Sequence, residues 1–238
     1  MSLKLSLIIP AYNEEKLIGA NLSRILSFLN KMPYTWEIVV VDDGSSDATG
    51  KIIESLKRTE VKLVKLDKNQ GKGAALKAGF LAAKGDYQIF SDADLSVDIE
   101  TISPFLEKLK VFDVVIASRR VSGSKIQTHQ SWLRENMGRV FTFLTQILTG
   151  LKIADFTCGF KGFTRESAKK IFGRSLISRW AYDAEIIFLA QKYGYKILEY
   201  PATWVNRKDT RVRLNRVVFE SLRDLIKIRI LEFQGKYD

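Results

Sequence analysis

The stretch "WEIVVVDD", residues 36–43, decides the fold. Ile38, Val39, Val40 and Val41 form an unbroken β-branched run with no polar residue between them. Alternation is the mark of a strand with one wet face, so an unbroken run predicts burial on both faces, as in a parallel sheet covered by helices. Outward from it, the pattern switches between two periods. "LKLSLIIP" (3–10), "VKLVKL" (61–66), "DYQIF" (86–90) and "DVVIAS" (113–118) read as strands. Between them, residues 14–30, about 43–58, 73–83 and 98–110 carry apolar positions at helical spacing. Strand–helix–strand repeats of this length predict an α/β fold: a Rossmann-like, mostly parallel sheet flanked by helices, with right-handed crossovers.

In such sheets ligands bind beyond the carboxyl ends of the strands. Asp42 and Asp43 end one predicted strand, Asp92 and Asp94 follow another, and Arg119 follows a third. "IFSDADLS" (89–96) sets two carboxylates one residue apart after a buried strand. Either water solvates them in a capping turn, or a cation belongs between them. The chain has a single histidine, His129, so ligands here are oxygens, which favour Mg²⁺ or Mn²⁺ over zinc. "NQGKGAALKAG" (69–79) opens a helix through glycines, as an ordinary loop or as backbone contact with an anion.

The 238 residues, 46% of them hydrophobic, suffice for one substantial core, and no repeat or linker divides them. A net charge of +11 favours anionic partners: nucleic acid, lipid headgroups or phosphorylated small molecules. No nucleic-acid-binding motif accompanies it, and acids at the strand ends repel a phosphate backbone, so no nucleic acid is expected. One cysteine, Cys158, excludes an internal disulfide and fits a reducing cytosol. The apolar run near the N-terminus is too short for a signal sequence or a membrane span, and no spanning helix is expected elsewhere.

The second half changes character. Residues 131–152 read as a helix with no charge from Val140 to Leu151. Twelve helical residues cover roughly 18 Å, short of a hydrocarbon core of about 30 Å. Burial in the core is the default expectation; Trp132, Phe141, Phe143 and Leu144 also suit a helix lying on a membrane. Then come a short strand, a helix capped by Thr164, a helix ended by Gly194, and one strand "YKILEYPATWV" (195–205). A last helix (211–233) sets Leu214, Val217, Val218, Leu222, Leu225 and Ile226 on one side. Arg207, Lys208, Arg211, Arg213, Arg216, Arg223, Lys227 and Arg229 outnumber Asp209, Glu220 and Asp224 on the other side and its approach. That is either a solvated face or one that meets an anionic leaflet.

Taken in order, "IIPAYNEE" (8–15), "VVVDDGSSDAT" (39–49), "NQGKGAALKAG", "SDADLS" and "ASRR" (117–120) resemble the inverting glycosyltransferases of family 2, with the GT-A fold. "DFTCGFKGFTRESA" (155–168) and "RWAYDAEIIFLAQKYG" (179–194) are similar to the dolichyl-phosphate β-glucosyltransferase branch, with the mannosyltransferases as relatives. The resemblance implies one GT-A domain over 1–238, with a nucleotide-sugar half (1–120), an acceptor half (121–210) and a basic amphipathic helix (211–233). It implies transfer of glucose from UDP-glucose to a dolichyl or polyprenyl phosphate, giving a β-linked product. The alternatives are GDP-mannose as donor or a non-lipid acceptor. Pro10, Ala11, Tyr12, Glu14, Asp42, Asp43 and Lys72 take the nucleotide sugar. Asp92 and Asp94 hold Mg²⁺ or Mn²⁺ on its diphosphate. Ser96 stands where many relatives have Gln.

Arg119 and Arg134 match arginines that bind the acceptor phosphate. Lys161 and Trp180, with Cys158, fall on the acceptor side, Cys158 reading equally as a small buried side chain. Asp183 is a catalytic candidate that orients sugar hydroxyls or an arginine, or else a plain acid at a helix N-terminus. An acceptor phosphate is already anionic, so no general base is required. The expected location is cytoplasmic, peripheral at the cytoplasmic face of a membrane, on an anionic surface or beside a membrane protein.

Overall fold

The computed structural model describes residues 4–128, 132–206 and 214–238, without the side chains of 133, 134 and 214–219. Five β-strands and four helices alternate first: β1 (Leu5–Ala11), α1 (Ile18–Leu29), β2 (Trp36–Asp42), α2 (Thr49–Ser55), β3 (Val61–Lys65), α3 (Lys72–Ala82), β4 (Tyr87–Ser91), α4 (Ile102–Lys108) and β5 (Val114–Ser118). Then follow β6 (Lys125–Thr128), α5 (Trp132–Thr149), β7 (Phe160–Thr164), α6 (Arg165–Arg174), α7 (Tyr182–Lys192), β8 (Ile197–Pro201), β9 (Thr203–Val205) and α8 (Leu214–Phe233). The main sheet has seven strands in the order β3-β2-β1-β4-β7-β5-β8. Its neighbours pair in parallel except at β7, which runs antiparallel to both β4 and β5. β6 and β9 form a separate parallel pair.

The unbroken apolar strands are buried twice over. Leu7, Ile9, Ile38 and Val40 face one core with α1 and α4, while Ile8, Val39 and Val41 face a second with α3, α6 and α7. Phe80 of α3 stacks on Phe172 of α6 at 3.8 Å between centroids, closing the second layer. Thr164 caps α6 by accepting from the Ser167 N–H, as its position predicts.

Three features differ from the sequence expectation. The run 195–205 is two strands, because the chain leaves the main sheet at Ala202 to pair with β6, which carries no strand signal of its own. The antiparallel sense of β7 is set by topology, since "FKGFT" reads alike in both directions. The third is α5. Its buried face is Thr142, Thr145 and Thr149, whereas Val140, Phe143 and Ile147 are 57–62% exposed and Trp132 79%. Thr145 and Thr149 donate to the carbonyls of Phe141 and Thr145, so their hydroxyls are satisfied inside the protein. The uncharged run is therefore only partly core: Phe141, Leu148 and Leu151 pack on the second core, while Val140, Phe143 and Ile147 face outward.

α5 packs on α8, whose Leu225 and Ile228 are buried while Ile226, Ile230 and Phe233 are exposed. Ile226 thus sits on the outer stripe, not with Leu225. No helix among the described residues is long and apolar enough to cross a membrane. His129, Arg207, Lys208, Asp209, Arg211 and Arg213 lie outside the described residues, as do the side chains of Leu214, Arg216, Val217 and Val218.

Candidate active site

Beyond the end of β4 the chain turns, and burial alternates through the turn: Ala93, Leu95 and Val97 are buried, whereas Asp92, Asp94 and Ser96 stay partly open. Leu95 sits at φ +52° in the tight turn, with its N–H donating to the Asp92 carbonyl at 3.1 Å. Asn21 of α1 donates to the Ala93 carbonyl at 2.7 Å and ties the turn to the frame. Ser96 donates to Asp94 through both its N–H (2.9 Å) and its hydroxyl (2.8 Å). Burial first, then the neighbouring Asp92 carboxylate, push the Asp94 carboxyl above the ordinary range.

Asp92 rests over Gly159, where an added Cβ would stand 2.0 Å from Oδ2. Its N–H also donates to the Gly159 carbonyl at 3.1 Å. The "DFTCGF" segment thus supplies a seat that any larger residue would fill. Lys72, the first residue of α3, makes an ion pair with Asp92, both side chains about one-third exposed. Burial works against that ammonium, but Asp92 with Tyr182 and Asp183 holds its pKa well above the usual lysine value. The Tyr182 hydroxyl is buried against this pair and has no hydrogen-bond partner among the described residues.

At the ends of β1 and β2, Pro10 is half-buried, Ala11 buried, Tyr12 46% exposed and Glu14 half-buried. The two β2 carboxylates are closed in. Asp43 is 3% exposed and accepts from the Gln70 N–H (2.8 Å), the Gly71 N–H (2.8 Å) and the Asn69 amide (3.0 Å). Asp42 is 6% exposed, accepts from the Ser45 N–H at 2.9 Å, and leaves Gly50 no room for a Cβ. The amides at the entry to α3 therefore hold Asp43, which corrects their reading as an anion site. Its glycines serve packing: a Cβ on Gly73 would meet the Ile177 carbonyl at 2.4 Å.

Past β5, Arg119 forks onto Asp155 through Nε (2.7 Å) and Nη2 (2.8 Å), and Nη2 also reaches the Thr157 hydroxyl at 2.8 Å. Asp155 is wholly buried, and although burial opposes it, Arg119 draws its carboxyl below the ordinary range. Glu199 of β8 accepts from the N–H groups of Ala154 and Asp155, fixing that loop. Arg120 donates to Thr142 of α5 at 2.7 Å; burial and then its basic neighbours Arg119 and Arg139 lower its pKa. The Arg134 side chain lies outside the described residues.

Lys161 departs from its expected place on the acceptor side. Its ammonium is fully buried, paired with Asp183 and donating to the Cys158 carbonyl at 2.8 Å. Asp183 thus pairs with a lysine inside the protein. Cys158 is buried, its thiol pushed up to about 12 by burial, and is inert packing. Trp180, 38% exposed, precedes α7 at the rim.

Sequence reasoning passed over Asp155, Thr157, Gly159, Tyr182 and Glu199. Asp155 and Gly159 had a signal, an acid and a glycine flanking the lone cysteine, while Tyr182 and Glu199 sit in apolar runs that read as core.

Among the described residues no three acids, histidines or cysteines gather around a metal position. Asp92 and Asp94 nevertheless fit a divalent cation: two partly open carboxylates, one raised by burial and then by the other's charge, and one seated in a cradle. An ion held by two protein groups takes its remaining oxygens from substrate and water.

The sequence model of Glycosyl transferase family 2 matches residues 6–172. The dolichyl-phosphate beta-glucosyltransferase of Dictyostelium discoideum is 34% identical, across 97% of this chain and 75% of its own length. That of Homo sapiens is 30% identical, across 98% and 77%. Glucosyl-3-phosphoglycerate synthase from Mycobacterium tuberculosis, crystallised with Mn²⁺, UDP-glucose and phosphoglyceric acid, superposes with a TM-score of 0.66 at 20% identity. That likeness covers 98% of this chain and 80% of the synthase. It shows the fold, a mostly parallel GT-A sheet flanked by helices.

Proposed function

Because this chain belongs to glycosyl transferase family 2 and is therefore a glycosyltransferase, we propose that it moves glucose from UDP-glucose to a dolichyl or polyprenyl phosphate with inversion at the anomeric carbon. The observation that carries this reading is the pair of partly open carboxylates, Asp92 and Asp94, set just beyond a parallel strand. The likeness to dolichyl-phosphate beta-glucosyltransferases across nearly the whole chain supplies the acceptor and the sugar.

In this reading Asp92 and Asp94 hold Mg²⁺ or Mn²⁺, which supplies charge neutralisation for the departing diphosphate. Pro10, Ala11, Tyr12 and Glu14 line the nucleoside side. Asp42 and Asp43 act there through the loops they hold. The first half of the domain, to residue 120, takes the donor and 121–210 take the acceptor. Arg119 has three of its five N–H groups committed to Asp155 and Thr157. Its Nη1 edge, with Arg134, receives the acceptor phosphate and holds one oxygen in line with the anomeric carbon. That oxygen is already anionic, so no side chain need remove a proton.

The exposed stripes of α5 (Val140, Phe143, Ile147) and α8 (Ile226, Ile230, Phe233) rest on the cytoplasmic leaflet that holds the lipid acceptor. Arg223, Lys227 and Arg229 are exposed beside the α8 stripe and match its anionic headgroups. A buried lone thiol suits that reducing side.

The decisive experiment incubates the protein with Mn²⁺, a polyprenyl phosphate and labelled UDP-glucose or GDP-mannose, then extracts into organic solvent. Label from UDP-glucose in the lipid phase is the expected result. Label only from GDP-mannose, or only in the aqueous phase, overturns the assignment of donor or acceptor.

A further inference from the structure

We propose that Lys72 is a placeholder cation: its ammonium holds Asp92 until a divalent cation takes the carboxylate, and then turns to the hydroxyl of Tyr182. This rests on the reading of Asp92 and Asp94 as the cation's ligands.

Three observations converge on it. First, Asp92 cannot retreat from its pair. Its carboxylate is seated where a Gly159 Cβ would lie only 2.0 Å from Oδ2, and its N–H is tied to the Gly159 carbonyl. A cation arriving at Asp92 therefore meets the ammonium on the same carboxylate and competes with it there.

Second, the lysine's backbone is as fixed as the aspartate's. Asp43 grips the N–H groups of Gln70 and Gly71 just before it. The Ala74 N–H donates to the Ser178 carbonyl at 3.1 Å just after it, and Gly73 lies against the Ile177 carbonyl. The motion left to Lys72 is a rotation of its own flexible stem.

Third, a destination stands ready. Lys72 Nζ lies 5.6 Å from the Tyr182 ring centroid and 5.8 Å from that of Phe90, so both rings already favour a cation there. The Tyr182 hydroxyl is buried and makes no close hydrogen bond among the described residues, and Lys72 already acts on it from nearby, so a short turn of the ammonium completes the contact. Beneath it the buried Asp183 is paired with Lys161 and adds its negative charge to the field that holds the Lys72 ammonium near the ring.

The consequence is an order of loading. An ammonium and a divalent ion repel across one carboxylate, so the metal binds weakly alone. It binds well as a chelate, when the donor's diphosphate brings negative charge with it.

The test measures Mn²⁺ alone against the full chain by the electron-spin resonance of the free ion. Lys72→Met should tighten Mn²⁺ binding about tenfold without nucleotide, the scale of a unit charge acting on a divalent ion some 5 Å away in water. Lys72→Arg, which keeps the charge, should stay at the wild-type value. Added UDP should narrow the gap between Lys72→Met and wild type. Tyr182→Phe should weaken Mn²⁺ binding about threefold, since the displaced ammonium then lacks its acceptor. Equal affinity in Lys72→Met and wild type overturns the proposal, as does a Lys72→Arg variant that behaves like Lys72→Met, or a Tyr182→Phe variant with unchanged affinity. If Asp94→Asn binds Mn²⁺ as well as wild type does, it is the underlying cation assignment that fails.

Discussion

Strands β2 and β4 are neighbours of β1 on either side, both buried, and both lead into two aspartates. The chain uses the two pairs in opposite ways. Asp42 and Asp43 are nearly sealed and accept from backbone N–H groups of the loops around them. Asp92 and Asp94 are partly open, one against a lysine and one against a serine, with the second raised by burial and then by the first. Carboxylates spent on backbone amides shape a site; carboxylates left facing side chains can exchange those partners for a ligand. Position after a buried strand does not separate the two cases, whereas burial does: Asp42 and Asp43 are 6% and 3% exposed, and Asp92 and Asp94 stay partly open.

The sharpest way to break this contrast is to neutralise one member of each pair. Asp94→Asn should lower glucosyl transfer by about a hundredfold or more, because charge on the leaving group loses its counterweight. Its fold should survive, since Asp94 gives up only the Ser96 contacts. Urea unfolding alongside the transfer assay separates the two effects, and a variant that transfers normally removes the open pair from the chemistry.

Gly159→Ala should come next. A Cβ there overlaps Asp92, so transfer should fall about tenfold or more as the carboxylate is forced off its seat. Thermal unfolding should change less than activity does; a normal rate in this variant means that Asp92 need not sit where it does.

Asp43→Ala is the mirror experiment. It strips a buried acceptor from three donors, two of them backbone N–H groups, and should cost about 2 kcal/mol of stability in urea unfolding. A melting temperature equal to wild type combined with lost UDP binding would show that Asp43 contacts the nucleoside directly, and the division between the pairs would disappear.

The donor half was legible because its signals are local. Apolar-rich segments fix β1, β2 and β4, and the strand ends then place Asp42, Asp92 and Arg119 without further information. What escaped depends on contacts remote in sequence. The closure of residues 69–71 onto Asp43 joins positions 26 to 28 apart, which no local pattern announces. Lys161 read as an acceptor-side residue, and its pairing with Asp183 inside the core joins positions 22 apart. The α5 run was read by composition, yet its orientation was written in the spacing of its threonines: Thr142, Thr145 and Thr149 recur at i, i+3 and i+7, and that is its inner face. Apolar content alone does not tell which side of a helix is turned inward.

The smallest expected effect contrasts Asp94 with a carboxylate of the acceptor half. Asp155 is depressed by Arg119, so its stabilisation is complete above the ordinary aspartate value near 3.9 and is lost as pH falls through its lower folded value. Asp94 is raised, so between the ordinary value and its folded one the folded chain binds more protons than the unfolded one. There its contribution falls as pH rises. In metal-free buffer, Asp155→Asn should therefore flatten the acid loss of stability, while Asp94→Asn should remove a small decline on the higher side. Urea midpoints measured across that range read both slopes. If both variants lose the same limb of the curve, the two carboxylates share one environment, and the difference between a partnered acid and a poised one does not hold.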